Sequence, residues 1–87
     1  MSNVSDLGMD LRMRGTSVNE LAKELKVTSQ VISKVINGKE KNVRVEKKIL
    51  QVCGGYLLKQ VQLKTGIFDQ ERFERMVDEV KKENDGK

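Results

Sequence analysis

Four side chains that can hydrogen-bond to the edges of DNA bases fall within one short segment, SQVISKVI, which begins at residue 29. They are Ser29, Gln30, Ser33 and Lys34. A glutamine amide can pair with adenine N6 and N7, a lysine can donate to guanine O6 and N7, and a serine hydroxyl can bond either way. A helical segment would turn Ile32, Val35 and Ile36 to the opposite side. The segment therefore predicts a helix that reads duplex DNA from its exposed face.

Positive charge is concentrated from this segment onward. Residues 34–48 contain six basic and two acidic side chains, whereas residues 69–87 carry a net charge of −2 and the whole chain of 87 residues +4. A small basic domain with few aromatic residues favours duplex DNA over single strands, whose bases would need aromatic rings to stack on. The residues expected to hold the DNA through its phosphates are Ser17, Asn19, Thr28, Asn37, Lys39, Lys41 and Arg44.

Several function classes lack the residue types they need. The chain has no histidine and one cysteine, Cys53, which excludes a Ser-His-Asp or Cys-His centre and leaves mainly carboxylates for a zinc site. We therefore expect no enzyme activity, no metal and no cofactor, and we see no small-molecule ligand domain. Val52–Leu58, the longest stretch without polar side chains, is too short to span a bilayer, and the polar N-terminus does not resemble a signal peptide. A lone cysteine also suits the reducing cytoplasm.

Two short helices must position the polar residues, and both begin at a capping residue. Ser17 and Glu20 form a capping box, in which each side chain accepts from the other residue's amide. This helix is predicted to end at about Leu25. Thr28 caps the next helix, which ends at Asn37-Gly38 because both residues tolerate a positive φ. Only three residues separate the two helices, and a turn of that length holds them at a steep angle, as in a helix-turn-helix.

The rest of the chain predicts further helices, and with them a small all-α bundle. They are expected over residues 5–14, 43–53 and 70–83, the first capped by Ser5 and the last by Asp69. Residues 56–64 fit either a helix or a strand, and we favour a helix because leucine, lysine and glutamine are good helix formers.

Three simpler expectations concern residues outside the helix pair. Met9, Met13 and Met76 are expected to fill the core. Cys53 is expected to act as a small apolar side chain at a helix end. The run 46–48, Glu-Lys-Lys, is expected on a solvated helix face.

The helix pair resembles the DNA-binding domains of the lambda repressor and Cro family, over about residues 5–55. Ala22 matches the small residue at which the two helices touch. Ile32 and Val35 match the apolar positions beneath the recognition helix, and Asn37-Gly38-Lys39 matches the sequence that closes that helix in many members. The resemblance implies a sequence-specific transcription regulator of a bacterium or phage, in which the basic stretch up to Arg44 follows the phosphate backbone.

Two positions depart from the family pattern. Lys26 stands in the turn where the family usually has glycine, and a positive φ there costs a non-glycine residue about 1 kcal/mol. Val18 stands where many members place a glutamine that supports a backbone contact. That contact therefore falls to Ser17 or Asn19 here.

The C-terminal region is predicted to make the protein a homodimer on an inverted repeat. Residues 1–66 are assigned to the DNA-binding domain and residues 67–87 to a C-terminal helix with a frayed end. The helix carries an apolar stripe suited to a partner helix, formed by Phe73, Met76, Val77 and Val80. Two alternatives stay open. In the first, the chain is a protein-interaction module such as an antitoxin or phage adaptor. In the second, it is an excisionase-type architectural factor that bends DNA.

Overall fold

The computed structural model describes residues 6–85, which form six α-helices. These are α1 (Asp6–Met13), α2 (Val18–Leu25), α3 (Ser29–Ile36), α4 (Val43–Cys53), α5 (Tyr56–Thr65) and α6 (Gln70–Asp85). The described part contains no strand, so the prediction of an all-α bundle is confirmed and residues 56–64 are helical. Ser5, the predicted cap of the first helix, lies outside the described residues. None of the described helices is both long and apolar enough to cross a bilayer.

Side-chain caps set the starts of four helices. The oxygens of Ser17, Thr28, Asn42 and Asp69 accept hydrogen bonds of 3.2–3.3 Å from amides in the first turns of α2, α3, α4 and α6. Each bond satisfies an amide that has no partner inside its helix. The caps predicted at Ser17, Thr28 and Asp69 are therefore confirmed, while the cap at Asn42 was not anticipated from the sequence.

Four helices end in the same way, with a left-handed residue followed by an amide that returns to a carbonyl five residues earlier. The left-handed residues after α1, α2, α3 and α5 are Gly15, Lys26, Gly38 and Gly66. The returning hydrogen bonds measure 3.1, 3.0, 2.8 and 3.0 Å in the same order. This arrangement is the Schellman motif, in which glycine is the usual left-handed residue. Lys26, with φ 58°, is the one non-glycine residue of the described chain with a positive φ.

The core surrounds α4, which contacts each of the other five helices. Its apolar residues come from every helix: Leu7, Leu11, Leu21, Ala22, Ile32, Val35, Ile36, Val45, Ile49, Leu50, Leu58, Met76 and Val80. Since all six helices contribute, the helix pair α2–α3 is held in place by one shared core rather than by its own contacts alone.

Helix α6 belongs to this core. Met76 and Val80 are 3% and 6% exposed, and Phe73 and Val77 pack against the buried cluster. The connection at Gly66 therefore joins two helices of one core. The stripe predicted for dimerisation serves the chain's own packing, and its use by a second copy stays a prediction that requires Met76 and Val80 to leave the core.

Three expectations about individual side chains were wrong. Met9 and Met13 are exposed rather than buried, because the two leucines of α1, Leu7 and Leu11, already supply its core face. Glu46, expected in solvent, is 0% exposed. Met76 is buried as expected.

Gly38 lets α3 approach α5 closely. A Cβ atom at this position would lie 2.6 Å from Thr65 Oγ1 and 2.7 Å from Val61 Cγ1, and its φ is 73°. Both the space and the backbone conformation therefore require glycine here. The contact fixes the C-terminal end of α3 against the rest of the bundle.

Candidate nucleic-acid interface

The turn between α2 and α3 is built by backbone hydrogen bonds. The Val27 amide donates to the Ala22 carbonyl at 3.0 Å, and the Lys26 amide donates to the Lys23 carbonyl at 3.4 Å. Ala22 is buried in the core, and its place at the contact between α2 and α3 stays a prediction. Val18 also packs against the core, so its side chain is used for packing. Three residues, 26–28, separate the end of α2 from the start of α3.

Helix α3 has one buried and one exposed face. Ile32, Val35 and Ile36 are buried in the core, which confirms the predicted packing face. Three of the residues predicted to read bases are exposed: Ser29, Gln30 and Lys34. The fourth, Ser33, is half-buried. The predicted readout residues therefore divide into three that are exposed and one that is half-buried.

Asn37 is engaged at the end of α3. Its Nδ2 atom donates to the Ser33 carbonyl at 2.9 Å and lies 3.5 Å from Ser33 Oγ. The same carbonyl also accepts from the Asn37 backbone amide at 3.1 Å, so the side chain adds a second hydrogen bond in the last turn. The structure therefore gives Asn37 a capping role that the sequence did not reveal, and its contact with a phosphate stays a prediction.

Two of the predicted phosphate contacts use the same atoms as helix caps. Ser17 Oγ and Thr28 Oγ1 each accept one hydrogen bond from a backbone amide, and a hydroxyl keeps its hydrogen available to donate. Thr28 is exposed and Ser17 half-buried, while Asn19 is exposed on the first turn of α2. Capping is thus compatible with donation from these hydroxyls to phosphate oxygens.

Tertiary contacts divide the basic stretch into two groups. In the first group, Lys39, Lys41 and Arg44 are exposed and form no ion pair with the side chains that the structure describes. The Lys39 amide donates to the Lys34 carbonyl at 2.8 Å, which holds the start of the basic loop against α3. The unpaired cations of this stretch therefore lie in the loop that follows α3 and in the first turn of α4.

In the second group, acidic side chains neutralise the lysines of α4. Lys47 Nζ lies 3.0 Å from both Glu79 and Glu83 of α6. Hydrogen bonds from its ammonium to these two carboxylates raise the pKa of Lys47. Lys48 pairs with Glu24 of α2. These two lysines contribute to the basic count of the sequence but not to the unpaired charge near α3.

Glu46 is the polar residue of this region that the sequence interpretation missed. Its carboxylate is fully buried and accepts hydrogen bonds from Gln62, Arg72 and the Asn42 amide. One signal was available: Leu50 is also buried, and at 100° per residue Glu46 falls between Ile49 and Leu50 on the helix circumference. The buried face of α4 is therefore wider than the stripe that Val45, Ile49 and Val52 form by their spacing alone.

Comparison with protein families, with curated proteins and with solved structures found no match to this chain. The function assigned to this surface therefore depends on the geometry and chemistry of its own residues.

Proposed function

We propose that the protein binds double-stranded DNA sequence-specifically, as a small cytoplasmic transcription regulator of the repressor and Cro type. The observation that carries the proposal is the juxtaposition of two features. One is the exposed polar face of α3, and the other is the group of unpaired cations formed by Lys39, Lys41 and Arg44. A helix of this kind fits the major groove while basic residues beside it meet the phosphates.

The exposed face of α3 supplies groups that distinguish base pairs. Gln30 can accept from adenine N6 and donate to N7, and Lys34 can donate to guanine O6 and N7. These residues lie four apart, so their side chains project from the same face of the helix on successive turns. Ser29 is small and allows the start of α3 to come close to the bases. The half-buried Ser33 reaches only bases near the rim of the contact.

The basic loop supplies contacts that do not depend on sequence. Each phosphate neutralised by a lysine or arginine releases condensed counterions and adds about 0.9 to the slope of log K against log salt. Lys39, Lys41 and Arg44 together predict a contribution of roughly 3 to that slope for each protomer. The pairing of Lys47 and Lys48 with carboxylates predicts that they add little.

The experiment is selection of bound fragments from a pool of randomised duplexes, followed by fluorescence anisotropy titrations. Selected DNA should bind at least about a thousandfold more tightly than a scrambled duplex. A matched pair of variants tests the surface: Lys41→Gln should lower the salt slope by about 1, whereas Lys81→Gln on α6 should leave it unchanged. No binding to any duplex at low salt would refute the proposal, as would equal effects of the two variants.

A second candidate function is the protein-interaction module, which exposed apolar side chains favour. Met9 and Met13 of α1 and Tyr56 and Leu63 of α5 are all exposed, Met13 to 83%, and α1 and α5 contact each other. A second copy that pairs through such residues would form a homodimer, and binding to an inverted repeat would require its two recognition helices to lie about 34 Å apart. Light scattering of the wild type and of Met13→Ser tests this candidate. A wild type that is monomeric in solution and binds DNA as a single copy would exclude the homodimer.

A further inference from the structure

One carboxylate in the core collects hydrogen bonds from three separate parts of the chain. Glu46 Oε1 accepts from Gln62 Nε2 of α5 at 2.5 Å and from Arg72 Nη1 of α6 at 2.8 Å. Its Oε2 accepts from Arg72 Nη2 at 2.5 Å and from the Asn42 amide at 2.8 Å. Both oxygens are therefore saturated by donors that come from α5, from α6 and from the residue before α4.

The Arg72 pair is what makes this burial tolerable. A carboxylate removed from water is strongly destabilised unless an opposite charge and hydrogen bonds replace its hydration. Arg72 binds Glu46 through two guanidinium nitrogens, and this hydrogen bonding raises the pKa of Arg72. Asp69 accepts from the Arg72 amide at 3.2 Å, so the cap of α6 also holds Arg72 at the start of its helix. Among the described residues, no buried side-chain nitrogen or oxygen lacks a partner.

The other end of this network reaches the basic loop. The Asn42 amide donates to Glu46 while Asn42 Oδ1 accepts from the Val45 amide at 3.3 Å. The first bond holds Asn42, which ends the loop that carries Lys39 and Lys41, and the second holds Val45, which follows Arg44 in the first turn of α4. The position of these cations thus depends on a carboxylate that is itself held by α6.

We propose that Arg72 and Glu46 are positioning residues for DNA binding: through the Asn42 amide they fix the loop and helix start that carry Lys39, Lys41 and Arg44. This inference rests on the proposed DNA-binding function. It assigns to α6 a role in DNA affinity without any contact between α6 and DNA.

The first test compares two variants that remove the same charge. Arg72→Met and Lys47→Met each delete one cation that pairs across α4 and α6, Arg72 with Glu46 and Lys47 with two carboxylates of α6. Only Arg72 contacts Glu46. Arg72→Met should speed hydrogen exchange of the Asn42 amide by at least about tenfold relative to Lys47→Met. The reason is that the Glu46 carboxylate, which accepts from this amide, is no longer held by Arg72. Arg72→Met should also weaken binding of the selected duplex by about tenfold or more, as the phosphate contacts lose their fixed geometry.

A second pair of variants keeps the test decisive when Arg72→Met does not fold. Glu46→Gln/Arg72→Met and Glu46→Leu/Arg72→Met both remove the buried charges, but only the first keeps an oxygen that can accept from the Asn42 amide. The first should restore slow exchange at Asn42 and near wild-type affinity. The second should keep its helical circular dichroism while its Asn42 amide exchanges faster and its DNA affinity falls.

The two proposals fail in different ways. Equal Asn42 exchange and equal DNA affinity within each pair of variants would overturn the positioning role while leaving DNA binding intact. A wild type that binds no duplex would overturn the proposed function, and the exchange rates, which need no DNA, would still show whether Arg72 and Glu46 hold the start of α4.

Discussion

Replacing Lys26 with glycine is expected to stabilise the protein. Lys26 closes α2 with φ 58° and ψ 43°, in the left-handed region. The corresponding positions after α1, α3 and α5 are all glycines with φ between 73° and 85°. The Lys26 side chain is exposed and takes part in no ion pair within the described chain. Its Cβ atom therefore strains the backbone, and no ion pair of its ammonium within the described chain offsets this strain.

The size of the effect follows from two opposing terms. A left-handed conformation costs a residue with a Cβ about 1–2 kcal/mol. Glycine in turn lowers the free energy of unfolding by about 0.4–1 kcal/mol, because the unfolded chain with glycine has more conformational freedom. The free energy of unfolding should therefore rise by about 0.5–1 kcal/mol. For a domain of this size the corresponding increase in Tm is about 3–6 °C.

Thermal and urea unfolding, followed by circular dichroism at the helix band, measure this change. Lys26→Ala is the matched control, because it removes the long side chain but keeps the Cβ atom. It should lie within about 0.5 kcal/mol of the wild type, as exposed substitutions usually do. A Lys26→Gly protein that is no more stable than Lys26→Ala would show that the left-handed backbone at residue 26 costs no stability, which contradicts the prediction.

The remaining predictions concern packing, thiol reactivity and base readout. Gly38→Ala should destabilise the protein by about 2–4 kcal/mol in urea unfolding, because backbone strain and overpacking act together. Gly15→Ala also has a positive φ but open space around it, so it should cost only about 1–2 kcal/mol. Equal losses of stability in the two variants would contradict the close approach of α3 and α5. Burial, followed by a hydrogen bond with Asp10, raises the pKa of Cys53 from 9.0 to about 12. Its thiolate fraction at pH 8 is then about a thousandfold below that of the unfolded chain. Alkylation by iodoacetamide should therefore be at least about tenfold slower in the native protein than in the unfolded protein. Similar alkylation rates would contradict a desolvated thiol. Gln30→Ala should cost about 1–3 kcal/mol at one base pair of the selected duplex and relax the preference there; uniform weakening on all sequences would make Gln30 a phosphate contact.

The helix pair is the part of the fold that the sequence could predict well. Caps, apolar spacing and glycine terminators act over three to five residues, so their signals are complete within each helix. The bounds of α2, α3 and α4 follow from such signals. The buried face of α3 and its exposed residues Gln30 and Lys34 follow from the same spacing.

Side chains at the margins of these patterns were harder to place. Met9 and Met13 look like core residues by type, but α1 is short and Leu7 and Leu11 already fill its contact with the bundle. The stripe of α6 was compatible with a partner helix or with the chain's own core. Its burial depends on where α4 and α6 meet, which no local spacing encodes.

Local signals in the sequence are therefore sufficient to predict the α2–α3 pair, the caps at Ser17, Thr28 and Asp69 and the two faces of α3, because backbone hydrogen bonds and helical periodicity are local. The tertiary structure decided which charges are available. Glu46 is buried only because Gln62 and Arg72, 16 and 26 residues further along the chain, donate to it. Lys47 is neutralised by carboxylates 32 and 36 residues away. Charge interactions act through space and depend on burial, so only the folded structure shows that Lys47 is paired while Lys39, Lys41 and Arg44 have no ion pair among the described side chains.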